Sequence, residues 1–426
     1  MNCSTQGTGG CEASAVAPAV SGSTGALTKP YGIFASAFLM DLAVACMGLA
    51  LQFLAIGMGA IPRVLGMLGA FGSGGYAVVC MLGGGMADRI GRKLSAIIGV
   101  FSVAVIWLLY TIAPDPYWLL VIAPFGGAAL GMVWPAVQAW LAERTASGRR
   151  ALNRNLGLFN VSWSTGLLIG PLVAGYIWRD DFPALPFILG AGIAAVTIVV
   201  LLLTPGGGPG LRQQQQSGVD EAATTDEHTW WPLFMKLAWA GNFSSWFAGA
   251  TIQTMFPKLG LSPELALGHQ LVGIVIFCYW AALMAAFFLA RTTQRWQFKI
   301  WPLIMAEILS LLGMLLAGLY ANSAAAFCIC FAISGTAAGV TYVSSLFYSI
   351  TGPLANCSRR TGFHEATLGL GSLAGGLISG EVATRCLNLH APYLAVATVI
   401  FLVVLVQVVA WSSRAWRAKL SRREAV

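Results

Sequence analysis

Apolar runs of about twenty residues recur along the whole length of this chain of 426 residues. A helix that crosses a hydrocarbon core of about 30 Å needs roughly 20 apolar residues, and twelve runs meet that requirement. Asp, Glu, Lys and Arg together make up only 9% of the chain, so few charges interrupt the runs. The sequence therefore predicts an all-α polytopic membrane protein with twelve transmembrane helices. The predicted helices start near Tyr31, Leu65, Leu94, Tyr117, Asn155, Ala184, Trp230, His269, Trp301, Ala324, Gly362 and Pro392.

The basic residues are distributed unevenly between the two ends of these helices. The formal net charge is +8, which by itself would also suit a nucleic-acid-binding protein. If both termini lie on one side of the membrane, 20 of the 24 Lys and Arg residues lie on that side, and only Arg63, Arg179, Lys258 and Arg385 lie on the other. Basic loops mark the cytoplasmic side of a membrane protein. We therefore predict a multi-pass protein of the inner (cytoplasmic) membrane with both termini cytoplasmic and no nucleic-acid partner.

Two segments outside the predicted helices divide the chain. Residues 1–30 are small and polar, which predicts a disordered N-terminal tail. Residues 204–229 contain a Gly-, Pro- and Gln-rich stretch and predict a flexible cytoplasmic linker. The linker separates two six-helix halves, residues 31–203 and 230–412, and a basic cytoplasmic tail follows at 413–426.

The two halves resemble each other in sequence. Residues 41–52 align with 242–253, and residues 157–175 align with 362–380, with offsets of 201 and 205. Six helices separate the equivalent positions, and an even number of crossings makes the two copies parallel. The sequence therefore predicts two parallel six-helix repeats around a central cavity.

A cluster of charges and glycines stands between the second and third predicted helices, in the stretch GGGMADRIGRK at 83–93. It fits the pattern G-x-x-x-D-R-x-G-R-K through Gly84, Asp88, Arg89, Gly91, Arg92 and Lys93. This pattern, in this place, resembles the major facilitator superfamily, and the resemblance covers essentially residues 31–411. It implies a transporter that works by alternating access, in which the cluster is a cytoplasmic gate whose aspartate meets the start of helix 11.

A second motif lies in the fifth predicted helix and consists of Gly157, Gly166, Gly170, Pro171 and Gly175. It resembles the G-x8-G-x3-G-P-x2-G-G pattern of the superfamily's twelve-helix proton-driven antiporters, which carry out drug or metabolite efflux. Ala174 replaces one glycine of that pattern, and Ala123 stands where those antiporters usually carry an arginine in helix 4. The resemblance therefore supports the superfamily more strongly than the antiporter branch.

Ionisable and amide side chains inside the predicted helices are candidates for function, because burying them in a membrane is costly. Asp41 lies about 15 Å along helix 1, near the middle of the bilayer, and Gln52 shares its helical face. Asn242 and Gln253 repeat this polar stripe in helix 7. We expect both stripes to line the cavity, although amides also serve simply as contacts between helices. Asp41 has no basic neighbour in sequence, which favours it as a proton-exchanging group.

Helix 11 supplies a second pair of candidates, His364 and Glu365, and Asn160 holds the equivalent place in helix 5. If helix 11 starts near Gly362, a carboxylate in its first turn is also explained as a helix cap. The adjacent histidine favours a role in proton relay or gating. The sequence assigns no role to Glu307 in helix 9.

The remaining cavity candidates suit a ligand that is partly apolar and partly hydrogen-bonding: Trp134 and Gln138 in helix 4, and Tyr342 and Ser345 in helix 10. No Arg or Lys cluster occurs at mid-membrane depth, which disfavours a strongly anionic substrate. The four histidines and nine cysteines show no metal-ligand or catalytic spacing, so we expect neither a metal, a cofactor nor an enzyme.

The sequence thus predicts a secondary active transporter of a small molecule in the lipid bilayer, coupled to protons and acting as a monomer. Efflux by antiport is the favoured form, because of the fifth-helix motif. An uncoupled facilitator and a proton symporter for uptake are the alternatives, and a non-transporting membrane receptor is a further one.

Overall fold

The computed structural model describes residues 30–145, 149–206, 225–293, 295–351 and 357–424. Within its helices, the side chains at 82–88, 142–143, 149–153, 156, 225–229, 291, 357–359 and 415–424 lie outside the description. The described residues form twelve helices: α1 (Tyr31–Gly57), α2 (Pro62–Ile90), α3 (Arg92–Tyr110), α4 (Pro116–Arg144), α5 (Arg149–Ile177), α6 (Leu185–Leu203), α7 (Thr225–Gly260), α8 (His269–Thr292), α9 (Ile300–Leu319), α10 (Ala324–Thr351), α11 (Cys357–Cys386) and α12 (Ala391–Glu424).

Ten of these twelve helices are long and apolar enough to cross a membrane. The other two, α7 and α11, carry polar side chains such as Asn242, Thr251 and His364, all of which are fully buried. Both helices pack against other helices, and α11 contacts α2, α7, α10 and α12. Protein contacts can therefore satisfy these polar groups away from lipid. The prediction of an all-α polytopic membrane protein is confirmed.

The same helix pairs recur in the two halves. In the first half, α1 packs on α5, α2 on α4 and α3 on α6, and in the second half α7 packs on α11, α8 on α10 and α9 on α12. The halves meet chiefly where α2 packs on α11 and α5 packs on α8. This recurrence agrees with the predicted parallel repeats.

Aligned glycines occupy equivalent contacts in the two halves. Gly166 of α5 lies against the backbone of α1 at residues 38–42, and Gly371 of α11 lies against the backbone of α7 at residues 243–247. A Cβ atom at either glycine would overlap the neighbouring backbone. Glycine thus permits the close approach of helices that small residues commonly mediate in membranes.

Three helices begin five or six residues earlier than the apolar runs predicted. The helix α5 begins at Arg149 and not near Asn155, α7 begins at Thr225 and not near Trp230, and α11 begins at Cys357 and not near Gly362. A hydropathy pattern detects where side chains become apolar, whereas backbone hydrogen bonds continue into the polar region beyond. Residue 365 is therefore the ninth residue of its helix, so an N-terminal capping role does not apply to it.

Several predicted segments fall outside the description. All but the last residue of the 1–30 tail, most of the 204–229 linker, and the side chains of Gly84 and Asp88 lie outside the described residues. At the C-terminus, α12 continues to Glu424, through most of the segment predicted as a basic tail.

Candidate functional site

A cavity of about 370 Å³ lies between the two halves. Nine helices contribute to its wall, and the described lining residues include none from α6, α9 or α12. Seven of the candidates from the sequence line it: Asp41, Gln52, Trp134, Gln138, Gln253, Tyr342 and Glu365. The polar stripes of α1 and α7 therefore face a common space, together with the inner half of α4.

Asp41 lies on this wall, with 6% of its surface exposed. No hydrogen bond or ion pair joins its carboxyl group to another described residue, and no described lining residue is Lys, Arg or His. A buried carboxylate without a partner is costly in its charged form. The group is therefore suited to bind either a proton or a cationic ligand that enters the cavity.

Glu365 is held by a side chain of the opposite half. The Tyr76 hydroxyl of α2 donates a hydrogen bond to its Oε2 over 3.1 Å, and Gln138 of α4 lines the same cavity. Because Glu365 belongs to α11, this bond connects the two halves across the cavity. A ligand that competes for this carboxylate would loosen that connection.

His364, Asn242 and Ser345 lie behind the cavity wall and are not among its lining residues. The Nδ1 atom of His364 lies 2.7 Å from the Ser345 hydroxyl, and its Nε2 atom is buried without a hydrogen-bond partner. The Asn242 amide donates to the Thr367 hydroxyl over 3.0 Å and to the His364 carbonyl over 3.4 Å. Since α11 begins at Cys357, His364 points into the interior and is not at the rim where a cytoplasmic gate was expected.

Nine aromatic side chains line the cavity, and seven of them were missed from the sequence. The missed ones are Tyr76, Trp107, Tyr110, Phe159, Trp163, Trp246 and Trp280. Trp246 lies four residues after Asn242 and seven before Gln253, so it shares the helical face of the polar stripe. Its place on the wall could therefore have been predicted from the sequence. The others come from helices with no such stripe.

Asn160 contributes to this wall indirectly. It is absent from the lining residues, and its Oδ1 atom accepts a hydrogen bond from the Trp163 Nε1 atom over 3.0 Å. The ring of Trp163 packs edge-on against Tyr342 and Phe287 of the other half, at centroid distances of 5.6 and 5.7 Å. Asn160 therefore orients a lining tryptophan.

The halves also contact each other at the end of the bundle opposite the chain termini, called here the opposite end. The Arg63 guanidinium of α2 forms an ion pair with the Glu381 carboxylate of α11 at 2.6 Å. The Lys258 ammonium donates to the Ala60 carbonyl over 3.1 Å, and the His269 ring packs edge-on against Phe53 at 4.6 Å. These contacts bring both halves together beyond the cavity.

Residues 33–239 match the family model described as Major Facilitator Superfamily. The matched region contains almost the whole first half and both motifs found in the sequence. The chain is thus similar to this superfamily over residues 33–239, which confirms the resemblance predicted from the two motifs.

Two relatives named for drug resistance match this chain over part of their length. Multidrug resistance protein 1 of Bacillus subtilis (strain 168) is 28% identical over 167 residues, which cover 36% of this chain and 42% of that protein. Quinolone resistance protein NorA of Staphylococcus aureus is 27% identical over 113 residues, which cover 26% of this chain and 29% of that protein. The matches thus span less than half the length of these relatives.

The fold is also similar to solved structures over both halves. The crystal structure of the nucleoside transporter NupG has a TM-score of 0.68 and 15% sequence identity, and the match covers 90% of this chain and 98% of that one. At this identity the likeness concerns the fold. The superfamily of the matching family model consists of transporters, which agrees with the expectation that the chain is not an enzyme.

The fifth-helix motif lies at helix contacts. Gly166 and Gly170 face the backbone of α1, while Gly175 and the Pro171 carbonyl face α8 of the other half. Gly157 has open space around it. The motif thus joins α5 both to its own half and to the other half.

The described part of the charged motif lies at the basic end of the bundle, where α1 begins and α12 ends. Gly91 separates α2 from α3 with a φ of 91°, which glycine adopts without strain. The Arg92 guanidinium donates to the Ala139 carbonyl over 2.6 Å, and the Lys93 ammonium donates to carbonyls at the C-terminus of α6 over 2.7 and 2.8 Å. Arg89 is exposed. These cations stabilise helix C-termini within the first half.

Proposed function

We propose that this chain is a secondary active transporter that exports an amphipathic organic molecule, neutral or cationic, in exchange for protons. One observation carries the proposal: a cavity between two halves holds two carboxylates, Asp41 and Glu365, and no described lining residue is basic. Alternating access requires a site of this kind, reached in turn from the two sides of the membrane.

The aromatic wall supports the proposed class of substrate. Nine aromatic side chains line the cavity, and its volume of about 370 Å³ falls in the range of small-molecule sites. Aromatic faces bind apolar groups and attract cations, and amides such as Gln52 and Gln253 supply hydrogen bonds. The names of the two drug-resistance relatives fit this class of compound.

Asp41 is the proposed coupling group, with Glu365 beside it on the wall. A proton and a cationic substrate would compete for the unpartnered Asp41 carboxylate, so that release of one permits binding of the other. Coupling arises because protonation has a different free energy in the two access states. His364 is buried behind the wall next to Glu365, which supports a relay role for it in this proposal.

Flux measurements in proteoliposomes test coupling through Asp41. We expect a pH gradient to drive uptake of a lipophilic cation in the wild type, and Asp41→Asn to abolish this response while substrate still binds. Asp181→Asn is the matched control, since Asp181 is exposed and lies outside the cavity. Flux that ignores the gradient in the wild type, or an unaltered response in Asp41→Asn, would reject the coupled model.

One observation favours an uncoupled facilitator as a second candidate. Ala123 lines the cavity at the place where the resembled antiporters carry a basic residue. A facilitator would equilibrate substrate at the same rate in either direction of the pH gradient. The proteoliposome measurement therefore separates the antiporter from the facilitator. Accumulation of substrate in the direction of proton flow would favour a symporter instead.

Orientation and oligomeric state belong to the same proposal. We place both termini in the cytoplasm and treat the monomer as the working unit, since the cavity is complete within one chain. A cysteine-reactive, membrane-impermeant reagent applied to intact cells should leave a C-terminal reporter cysteine unlabelled. Labelling of that cysteine in intact cells would reverse the orientation.

A further inference from the structure

A second buried carboxyl group lies away from the cavity. Glu307 of α9 is 1% exposed, and Gln407 of α12 is fully buried beside it. The Gln407 Nε2 atom donates to the Glu307 Oε1 atom over 2.7 Å and to the Leu237 carbonyl of α7 over 2.9 Å. Neither α9 nor α12 supplies a described residue to the cavity wall, so this cluster is separate from the proposed transport site.

The hydrogen bonds of this cluster are incomplete in a specific way. The Leu237 carbonyl can only accept a hydrogen bond, so the amide nitrogen of Gln407, and not its oxygen, must face α7. The bonds to the Leu237 carbonyl and to Glu307 then use both N–H groups of Gln407. Glu307 Oε2 and Gln407 Oε1 remain, and both are buried without a partner. Two buried acceptors with no donor are costly, and one added proton converts one of them into a donor.

No charged side chain among the described residues pairs with Glu307. The groups that face it are the Leu237 carbonyl and Gly241 on α7, Gln407 on α12 and, next to Gly241, Thr341 on α10. None of these groups is charged, and Gln407 is the one polar side chain bonded to the carboxyl group among the described residues. A carboxylate held by one neutral donor in this setting is less favourable than a carboxylic acid.

We propose that Glu307 is a proton-binding site, where a bound proton makes a carboxylic acid–amide pair with Gln407 that fixes α9 and α12 to α7. The acid donates from Oε2 to the free Gln407 Oε1 atom, while Gln407 Nε2 donates to Oε1 of the acid. This clamp bonds α7 at the Leu237 carbonyl and packs against Gly241, the residue before Asn242, whose amide binds α11. The proton is a stationary part of the scaffold, and its site does not depend on the transport proposal.

Matched variants of the purified full-length protein test this site through thermal stability. In Glu307→Gln, an amide replaces the acid and again offers one donor and one acceptor, so we expect a melting temperature within about 2 °C of the wild type. In Glu307→Leu, the donor to Gln407 Oε1 is lost, and we expect a fall of about 5 °C or more. An equal fall in both variants, or failure of Glu307→Gln to fold, would overturn the proposal.

Infrared spectroscopy supplies a second measurement that does not depend on the variants' stability. The wild type should show a protonated carboxyl band that is missing in Glu307→Gln and present in Asp41→Asn. This band should stay unchanged as the medium passes from pH 5 to pH 6, where an exposed carboxyl group is already ionised. If the band missing in Glu307→Gln is that of a carboxylate, the proposal is wrong. If Na⁺ stabilises the wild type, choline does not, and Glu307→Gln loses this stabilisation, then the site binds a metal cation and not a proton.

Discussion

At the scale of single residues, the two cavity carboxylates differ in what surrounds them. Asp41 has no partner among the described residues, whereas Glu365 receives a hydrogen bond from Tyr76 of the opposite half. The first is available for a proton or a ligand, and the second already connects the halves. We infer that a charged substrate interacts mainly with these two carboxylates, which line the same cavity as Tyr342.

Glu365→Gln should weaken binding of a cationic substrate by about tenfold, because a charge pair in a cavity of low dielectric is worth about 1.4 kcal/mol or more. A neutral substrate of the same shape should keep its affinity, since the amide retains the hydrogen-bonding shape. Quenching of the cavity tryptophans measures both affinities. Glu264→Gln, at an exposed position outside the cavity, is the control. An equal loss for the neutral compound would mean that Glu365 acts through structure and not through charge.

At the scale of helices, glycines set how closely the members of each repeat approach. Gly166 and Gly371 hold equivalent places, one on α5 against α1 and the other on α11 against α7. Both contacts lie at the depth of the cavity carboxylates. The spacing of these helices therefore positions the two polar stripes that face the cavity.

Gly166→Ala and Gly371→Ala should each lower the melting temperature by about 5 °C or more, because the added Cβ overlaps backbone that cannot move independently. Gly157→Ala and Gly362→Ala are matched controls from the same repeat alignment, since both positions have open space. Alanine is the better helix former, so these controls should leave stability unchanged or raise it slightly. Similar falls in all four variants would contradict the assigned contacts.

At the scale of the whole molecule, ion pairs and ring contacts join the halves at the opposite end. Arg63 bonds Glu381 through its side chain and Thr384 through its backbone N–H, so α2 is tied to the end of α11. Access from that side requires these contacts to break. An exposed ion pair contributes little free energy, which suits a contact that opens and closes repeatedly.

Arg63→Ala should raise the accessibility of the cavity from the opposite end by several-fold. Gly48→Cys supplies the reporter, because Gly48 lines the cavity with open space around it, and the parent without this cysteine gives the background. The measurement is the labelling rate with a membrane-impermeant thiol reagent. Arg385→Ala is the control, since Arg385 pairs with Glu381 within the same helix and joins no halves. If Gly48→Cys is labelled at the same rate with and without Arg63→Ala, then Arg63 does not hold this end closed.

The sequence by itself determined the number of helices, the division into parallel halves and the similarity to the superfamily. Each of these depends on local pattern: the length of apolar runs, the repeated glycines and the motif at 83–93. It also selected seven residues that line the cavity, because a polar side chain such as Asp41 or Gln253 in an apolar helix must face protein or water.

Only the tertiary structure decided which aromatic residues line the cavity and which polar residues lie behind it. Trp107 and Trp280 are apolar residues in apolar helices, and hydropathy cannot separate a face toward lipid from a face toward a cavity. Asn242 and His364 satisfy polar groups by bonding between helices, which depends on helix rotation and on where α11 begins. Glu307 needed its partner Gln407, a hundred residues away, before its chemistry could be stated. These contacts depend on how the helices pack against each other, and the sequence pattern of one helix alone does not specify that packing.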